Sequence, residues 1–348
     1  MLKSLKQATL GTMKSSGLFT LVKSSGWRRR RLLILAYHGI SLADEHLWDS
    51  GQYMAAEVFR ERLQLLRKNG CTVLPLAEGL ERMYAGDLPE KSVAITFDDG
   101  SYDFYRRAYP LLREFNYTAT LYLTTFYSQL NRPVFNSVCS YLLWKGREQS
   151  LALESITGSE RAVNLSTGAA RSLVLAEIRR FTEKSGMSAE EKDRLMASLA
   201  AQLKIDYDAL CQNRVLHLIN EGEVKSLAQD GVDVQLHTHR HRAPADRELF
   251  LREIEDNRKT IREMTGTSPA HFCYPSGVWD YAFLPWLKEA GIKSATTCDF
   301  GLASAASNPL LLPRLVDVSA LSPIEFESWL TGISVALPRR RWMAQDAA

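Results

Sequence analysis

The sequence predicts a distorted (β/α) barrel of about seven parallel strands that carries a helical insertion. Three observations predict it. Short apolar, β-prone runs recur along the chain, and amphipathic helical patterns separate them. The alternation stops only between about residues 131 and 214, where several helical patterns follow one another. Alternating β and α elements in this number point to a parallel sheet covered by helices, and to a barrel rather than an open sheet.

Taken in order, the candidate strands lie at 32–37, 72–74, 93–97, 119–123, 232–236, 271–274, 294–297 and 312–316. Candidate helices fall between them at 56–69, 102–114, 221–229, 247–264, 279–290 and 323–330. Gly70 and Gly231 each follow a helical pattern, where a left-handed C-terminal cap would sit. Within 131–214 the patterns at 140–145, 169–184 and 189–203 read as helices inserted into the barrel rather than as a separate domain. The expected organisation is therefore a basic N-terminal arm (1–31), a barrel (32–335) interrupted by the insertion, and a basic tail (336–348) with Arg339, Arg340 and Arg341.

Length, composition and charge set further bounds. A chain of 348 residues with 45% apolar and 24% charged side chains is an ordinary globular protein with room for a sizeable core. The net charge is +3, yet the first 31 residues carry eight basic side chains and no acidic one, which leaves the remainder at −5. Five scattered cysteines with no CxxC pair argue against a disulfide framework and a cysteine zinc site, and favour a reducing compartment. Polar residues interrupt the N-terminal apolar stretch, so it makes a poor signal peptide, and no run is long enough to span a bilayer. A cytoplasmic location is expected, with no nucleic-acid partner. Leu2, Leu5, Met13, Leu18, Phe19, Leu21 and Val22 beside lysines leave two readings for residues 1–31. One is an interfacial helix that brings the protein to the inner face of a membrane; the other is an arm packed on the body or disordered.

Chemistry gathers at the ends of three strands. The run Ala94-Ile95-Thr96-Phe97 ends in Asp98-Asp99-Gly100, two carboxylates before a glycine that permits a sharp turn. Active sites of parallel barrels lie at the C-terminal strand ends, although Asp-Asp-Gly alone is equally good turn chemistry. The run 232–236 leads into His237-Thr238-His239-Arg240-His241, which holds three of the seven histidines. His237 and His241 are four apart, a spacing that one helical turn would bring to one side. Two imidazoles and one carboxylate form a common metal-binding set that leaves positions for water and substrate. The third strand end is Phe272-Cys273-Tyr274-Pro275-Ser276-Gly277, a turn able to aim backbone N–H groups at an oxyanion.

Together these motifs resemble the polysaccharide deacetylase family, also called the NodB-homology or carbohydrate esterase family 4 group. Thr96 to Gly100 is similar to its first motif, His237-Thr238-x-x-His241 to its second, and Phe272 to Gly277 to a form of its third. The resemblance covers most of the chain from about 32 to 316, apart from the insertion. It implies that Asp99, His237 and His241 bind a divalent metal, with Zn²⁺ as the usual ion and Co²⁺, Ni²⁺ or Mn²⁺ able to use the same ligands. Asp98 would be the general base, and the Tyr274 N–H, in the turn formed with Pro275 and Gly277, would hold the oxyanion.

Two departures from the family pattern matter. No histidine follows His271, so the late histidine acid is missing, and His38 at the end of the first strand is the candidate to replace it. First and last staves of a barrel are neighbours. This arrangement resembles the circularly permuted deacetylases of exopolysaccharide systems, including those acting on poly-N-acetylglucosamine. Cys273 stands where an arginine is often found, and Arg314 in the last candidate strand is expected to orient Asp98 instead.

The implied function is removal of acetyl groups from N-acetylhexosamine residues of a polysaccharide or glycan intermediate in exopolysaccharide biosynthesis. Two other readings are a catalytically inactive metal- and carbohydrate-binding protein and a hydrolase of another non-peptide C–N bond. Tyr102, Trp279 and Tyr281 are candidates for stacking on sugars or for the core; His239 and His271 read as supporting the ligands from behind or as structural, and His46 and His217 as without a role.

Overall fold

The computed structural model describes residues 2–336, so the basic tail expected at the C-terminus, with Arg339, Arg340 and Arg341, falls outside the described residues. Six strands form the parallel core of a nine-stranded sheet: β1 (Arg31–Tyr37), β2 (Ser92–Phe97), β3 (Thr120–Leu123), β4 (Asp233–Leu236), β5 (His271–Cys273) and β6 (Ser294–Thr296), in that spatial order. A seventh stave closes the curl. Leu312 bridges to Thr296 of β6, and β7 (Leu315–Val316) pairs with Leu35 and Ala36 of β1. The expected strand at 312–316 is therefore broken in the middle. Pro313 has no N–H to give to a ladder, and the Arg314 N–H donates sideways to Asp299 O at 2.9 Å.

Period-two alternation sorts the side chains of the staves. Leu33, Leu35, Phe97, Leu121, Leu123, Leu236 and Phe272 join the large cluster under the outer helices. Leu32, Ile34, Ala94, Tyr122, Cys273 and Leu312 form a smaller cluster of their own inside the curl. His38 has the parity of Leu32 and Ile34, Asp98 that of Ala94, and Arg314 that of Leu312. The same alternation that fills the barrel thus directs these polar groups to its mouth.

Three elements differ from the sequence expectation. The pattern at 102–114 is a π-helical turn (Phe104–Ala108) followed by an α-helix (Tyr109–Phe115). Pro110 cannot donate to the preceding turn, so the regular ladder opens there. The pattern at 279–290 is helical only over Phe283–Glu289, because the turn before it holds Ser276 and Gly277 at φ 54 and 67. A helix at Leu76–Ala85, with Leu76, Leu80 and Met83 buried, was not expected.

The interrupting segment holds helices Phe135–Lys145, Gly168–Lys184, Ala189–Gln202 and Tyr207–Gln212. It also holds an antiparallel pair, Ser150–Ala152 with Ala162–Asn164, that helical periodicity alone does not reveal. These elements pack around a core of their own that includes Val138, Leu142, Ile178 and Leu199.

The N-terminal arm forms helices Leu2–Ser15 and Leu18–Lys23 that lie against the helix Pro323–Thr331. Leu10 and Phe19 are buried with Ile333, and Lys6 pairs with Glu325 at 3.0 Å while Lys14 pairs with Glu327. The arm packs on the body, while Leu5 and Leu21 remain exposed. Arg28 is not a surface charge at all. It is fully buried and donates to the carbonyls of Leu330, Arg31 and Ser92, and burial brings its pKa down to about 10. Among the described residues no helix is long and apolar enough to cross a membrane.

Candidate active site

The first motif solves a geometric problem set by its own sequence. Adjacent strand residues point to opposite faces, yet both carboxylates face the mouth of the barrel. Asp99 takes φ 71 and Gly100 φ 82, which turns the chain back immediately after β2. A side chain at Gly100 would be strained at that φ, and its Cβ would stand 2.3 Å from Leu123 Cδ1, forcing the leucine to shift.

Asp98 is 2% exposed and gripped from both sides by Arg314. Nη1 reaches Oδ1 and Nη2 reaches Oδ2, each at 2.7 Å, while the guanidinium Nε donates to Thr297 O. Burial alone would raise this carboxyl, but the Arg314 charge and hydrogen bonds win and hold it at about 2. Cys273 leaves the room that this guanidinium occupies, with Sγ 3.1 Å from Nη2. His38 Nε2 stands 3.8 Å from Asp98 Oδ2, beyond hydrogen-bond range. The His38 loop is fastened to the first motif by Asp103, whose Oδ1 accepts from Ile40 N at 2.9 Å and Ser101 Oγ at 2.8 Å.

The second motif faces Asp99. His237 is 2% exposed, and its Nδ1–H donates to Cys273 O at 2.9 Å, which leaves Nε2 free as a ligand. Nε2 of His237 and Nε2 of His241 each stand 3.2 Å from Asp99 Oδ1. The expected helical turn is absent. The two imidazoles meet through a loop in which Thr238 and His241 adopt φ 63 and 53, with ring centroids 4.9 Å apart.

This arrangement passes a test for a divalent cation. Asp99 Oδ1 is buried without a well-aligned hydrogen-bond donor, and two imidazole nitrogens converge on it. Three electron-pair donors facing one another suit a tetrahedral N/O site with a position left over. A second group, Asp98, His237 and Cys273, also converges among the described residues. It is the poorer candidate, because Arg314 already occupies both Asp98 oxygens and burial drives the Cys273 thiol well above its usual range, keeping it protonated.

The third motif departs from expectation. The Tyr274 N–H donates to Thr296 O at 3.2 Å as part of the β5–β6 ladder, and the phenol donates to Leu310 O. A donor committed to the sheet is not available to an oxyanion, so the role expected of Tyr274 is not supported. Pro275 is buried, and a Cβ on Gly277 would lie 2.9 Å from Cys298 Sγ; both residues shape the turn.

A sequence model of the family described as polysaccharide deacetylase matches residues 85–140 and 204–295. Over these two blocks, which make up less than half of the chain, it is similar to the polysaccharide deacetylase family. The unmatched stretch between the two matched blocks lies inside the 131–214 segment. A relative from Escherichia coli (strain K12), named poly-beta-1,6-N-acetyl-D-glucosamine N-deacetylase, is 31% identical over 101 residues, which cover 29% of this chain and 15% of that protein. Among solved structures, the Streptococcus pyogenes deacetylase PplD in complex with acetate superimposes with a TM-score of 0.56 at 20% identity, over 86% of this chain and 98% of that one. IcaB from Ammonifex degensii gives 0.54 at 16% identity, over 86% and 97%. At these identities the two superpositions speak for the fold, a curled and mostly parallel sheet of seven staves.

Residues missed by the sequence reading lie one step behind the Asp99, His237 and His241 cluster. Asn257 and Glu253 sit on the helix Arg247–Thr265 and are buried, as are Phe250, Ile254 and Ile261 of the same helix. The available signal was a pair of polar side chains, four residues apart, interrupting an otherwise apolar helical face. Asp103, Thr125 and the buried partner pair Arg62–Asp317 were missed as well, and no local pattern marks them.

Proposed function

We propose that this protein is a metal-dependent N-deacetylase acting on N-acetylhexosamine residues of a polysaccharide, in exopolysaccharide biosynthesis. The observation that carries the reading is the pairing of an ionised, Arg314-clamped Asp98 with the adjacent Asp99–His237–His241 cluster. A protein that only bound metal and glycan would have no use for a base beside the ligands. The likeness to the family and to the Escherichia coli poly-beta-1,6-N-acetyl-D-glucosamine N-deacetylase supports the substrate class.

Asp99, His237 and His241 would hold the ion. A divalent cation there supplies the Lewis acid that polarises an amide carbonyl and lowers the pKa of water, which is what a carboxylate as weakly basic as Asp98 needs. Asp98, ionised throughout the working pH range, takes a proton from the attacking water. Arg314 keeps that carboxylate turned toward the mouth, and its positive charge offsets the cost of burying it. His38, across the mouth from Asp98, gives a proton to the departing amine nitrogen as the C–N bond breaks, and acetate leaves.

The test is acetate release from N-acetylglucosamine oligomers by metal-stripped protein, by protein with Zn²⁺ or Co²⁺ restored, and by Asp98→Asn. Restored release by the wild type, with turnover about 10²–10⁴-fold lower in Asp98→Asn, is expected. Equal release with and without metal, or by the variant, would overturn the reading.

A further inference from the structure

The metal-facing loop is strained, and the structure shows what holds it. Non-glycine residues in the left-handed region are strained, and the loop contains two within four residues. Thr238, β-branched, has φ 63, and His241, a proposed ligand, has φ 53. Neither residue lies in a regular element: β4 ends at Leu236 and the next helix starts at Arg247. His241 is also open, with 36% of its side chain exposed, so its own packing does little to fix it.

One turn of the helix Arg247–Thr265 compensates. Asn257, fully buried, accepts from the His237 N–H through Oδ1 at 3.0 Å. Its Nδ2 donates to Leu123 O at 2.9 Å and to Thr125 Oγ1 at 3.0 Å, which ties the ends of β3 and β4 together. Thr125 Oγ1 lies 2.8 Å from His239 Nδ1. Four residues earlier, Glu253 is 1% exposed. Its carbonyl accepts from the His239 N–H at 3.0 Å, and its carboxylate accepts from the Arg240 N–H at 2.8 Å, Arg240 Nη1 at 3.2 Å and Arg242 Nε at 2.6 Å. The two side chains therefore hold the backbone at His237, just before Thr238, and at Arg240, just before His241, while the Glu253 carbonyl holds His239.

We infer that Glu253 and Asn257 are positioning residues for the metal site. They keep a strained loop in the one conformation that brings Nε2 of His237 and Nε2 of His241 together on Asp99 Oδ1 before any ion arrives. This rests on the metal reading of the cluster. Groups that orient ligands from behind are worth about 10–100-fold in metal affinity when removed. A carboxylate buried under two arginines and a backbone N–H, and an amide using both of its ends, are built like such groups and unlike incidental core polarity.

The test measures zinc affinity by competition with a chromophoric chelator, and the Co²⁺ absorption spectrum, in wild type, Glu253→Gln, Glu253→Ala and Asn257→Ala, with Tm recorded for each. Zinc binding is expected to weaken about 10–100-fold in Asn257→Ala and Glu253→Ala. Glu253→Gln, which keeps an acceptor for the Arg240 N–H, should lose less and stays informative where the alanine variants fail to fold. The Co²⁺ spectrum should shift in the variants as the histidine geometry relaxes. Folded variants with lowered Tm but wild-type zinc affinity and spectrum would overturn the inference and leave the metal reading standing. A wild type that takes up neither metal would overturn both.

Discussion

The barrel and the segment that interrupts it both bury apolar cores, but they treat polar side chains in opposite ways. At the barrel mouth Asp98, Arg314, His237, Asn257, Glu253 and Asp103 are all buried, and each is paired with a charge, an amide or a backbone group. Among the described residues of 131–216, Thr182 alone is a buried polar residue, and its hydroxyl simply donates to Arg179 O. Burying polar groups is unfavourable unless their partners are in place. A fold that concentrates such groups in one region and excludes them from another reveals where its chemistry is, and where it has only packing to maintain.

Substitutions on the two sides should separate along that line. The larger effect is expected from Arg314→Ala, which leaves Asp98 buried without its cation and should destabilise the fold by about 3–5 kcal/mol. The sign of its pH effect follows from the same pair. In the wild type the Asp98 pKa is depressed to about 2, so its stabilising contribution is present above the ordinary carboxylate range and is lost as pH falls toward 2. Without Arg314 the burial cost is opposed only by the charges of His38 and His237, and the carboxyl should titrate higher than in the wild type. The acid limb of kcat/KM should then move upward, toward neutral pH. An unchanged pH profile in a folded Arg314→Ala protein would break the link between this arginine and the base.

The smaller effect is expected in the insertion. Leu199→Ala removes a fully buried side chain from the helical cluster and should cost about 2–5 kcal/mol in denaturant unfolding. Zinc affinity and kcat per folded molecule should stay at the wild-type value. A change in either would mean that the insertion supports the site directly, and the division between the two regions would have to be redrawn.

Much of the site was legible because period-two alternation and strand-end chemistry reinforce each other. Ala94, Thr96 and Asp98 share one parity, as do Ile34 and His38, so the inward residues could be read from the sequence before any contact was known. The helices at 56–69, 221–229 and 247–264 were legible for a similar reason, since their apolar faces repeat regularly. What stayed hidden depends on partners distant in sequence. The N–H of Tyr274 is claimed by Thr296, 22 residues later, and nothing in Tyr-Pro-Ser-Gly announces that. The support given by Asn257 to His237 spans 20 residues and runs through a side chain that looks like a helix defect. The left-handed turn at Thr238 had no glycine to signal it, because the restraint comes from the neighbouring helix rather than from the residue itself.

If Asp99, His237 and His241 hold the ion while Asp98 and Cys273 stand apart from it, zinc-edge X-ray absorption on the zinc-loaded protein will show it. A shell of nitrogen and oxygen scatterers near 2.0–2.1 Å with no sulfur is predicted. A zinc–sulfur distance near 2.3 Å would place the ion with Asp98, His237 and Cys273 and contradict the account.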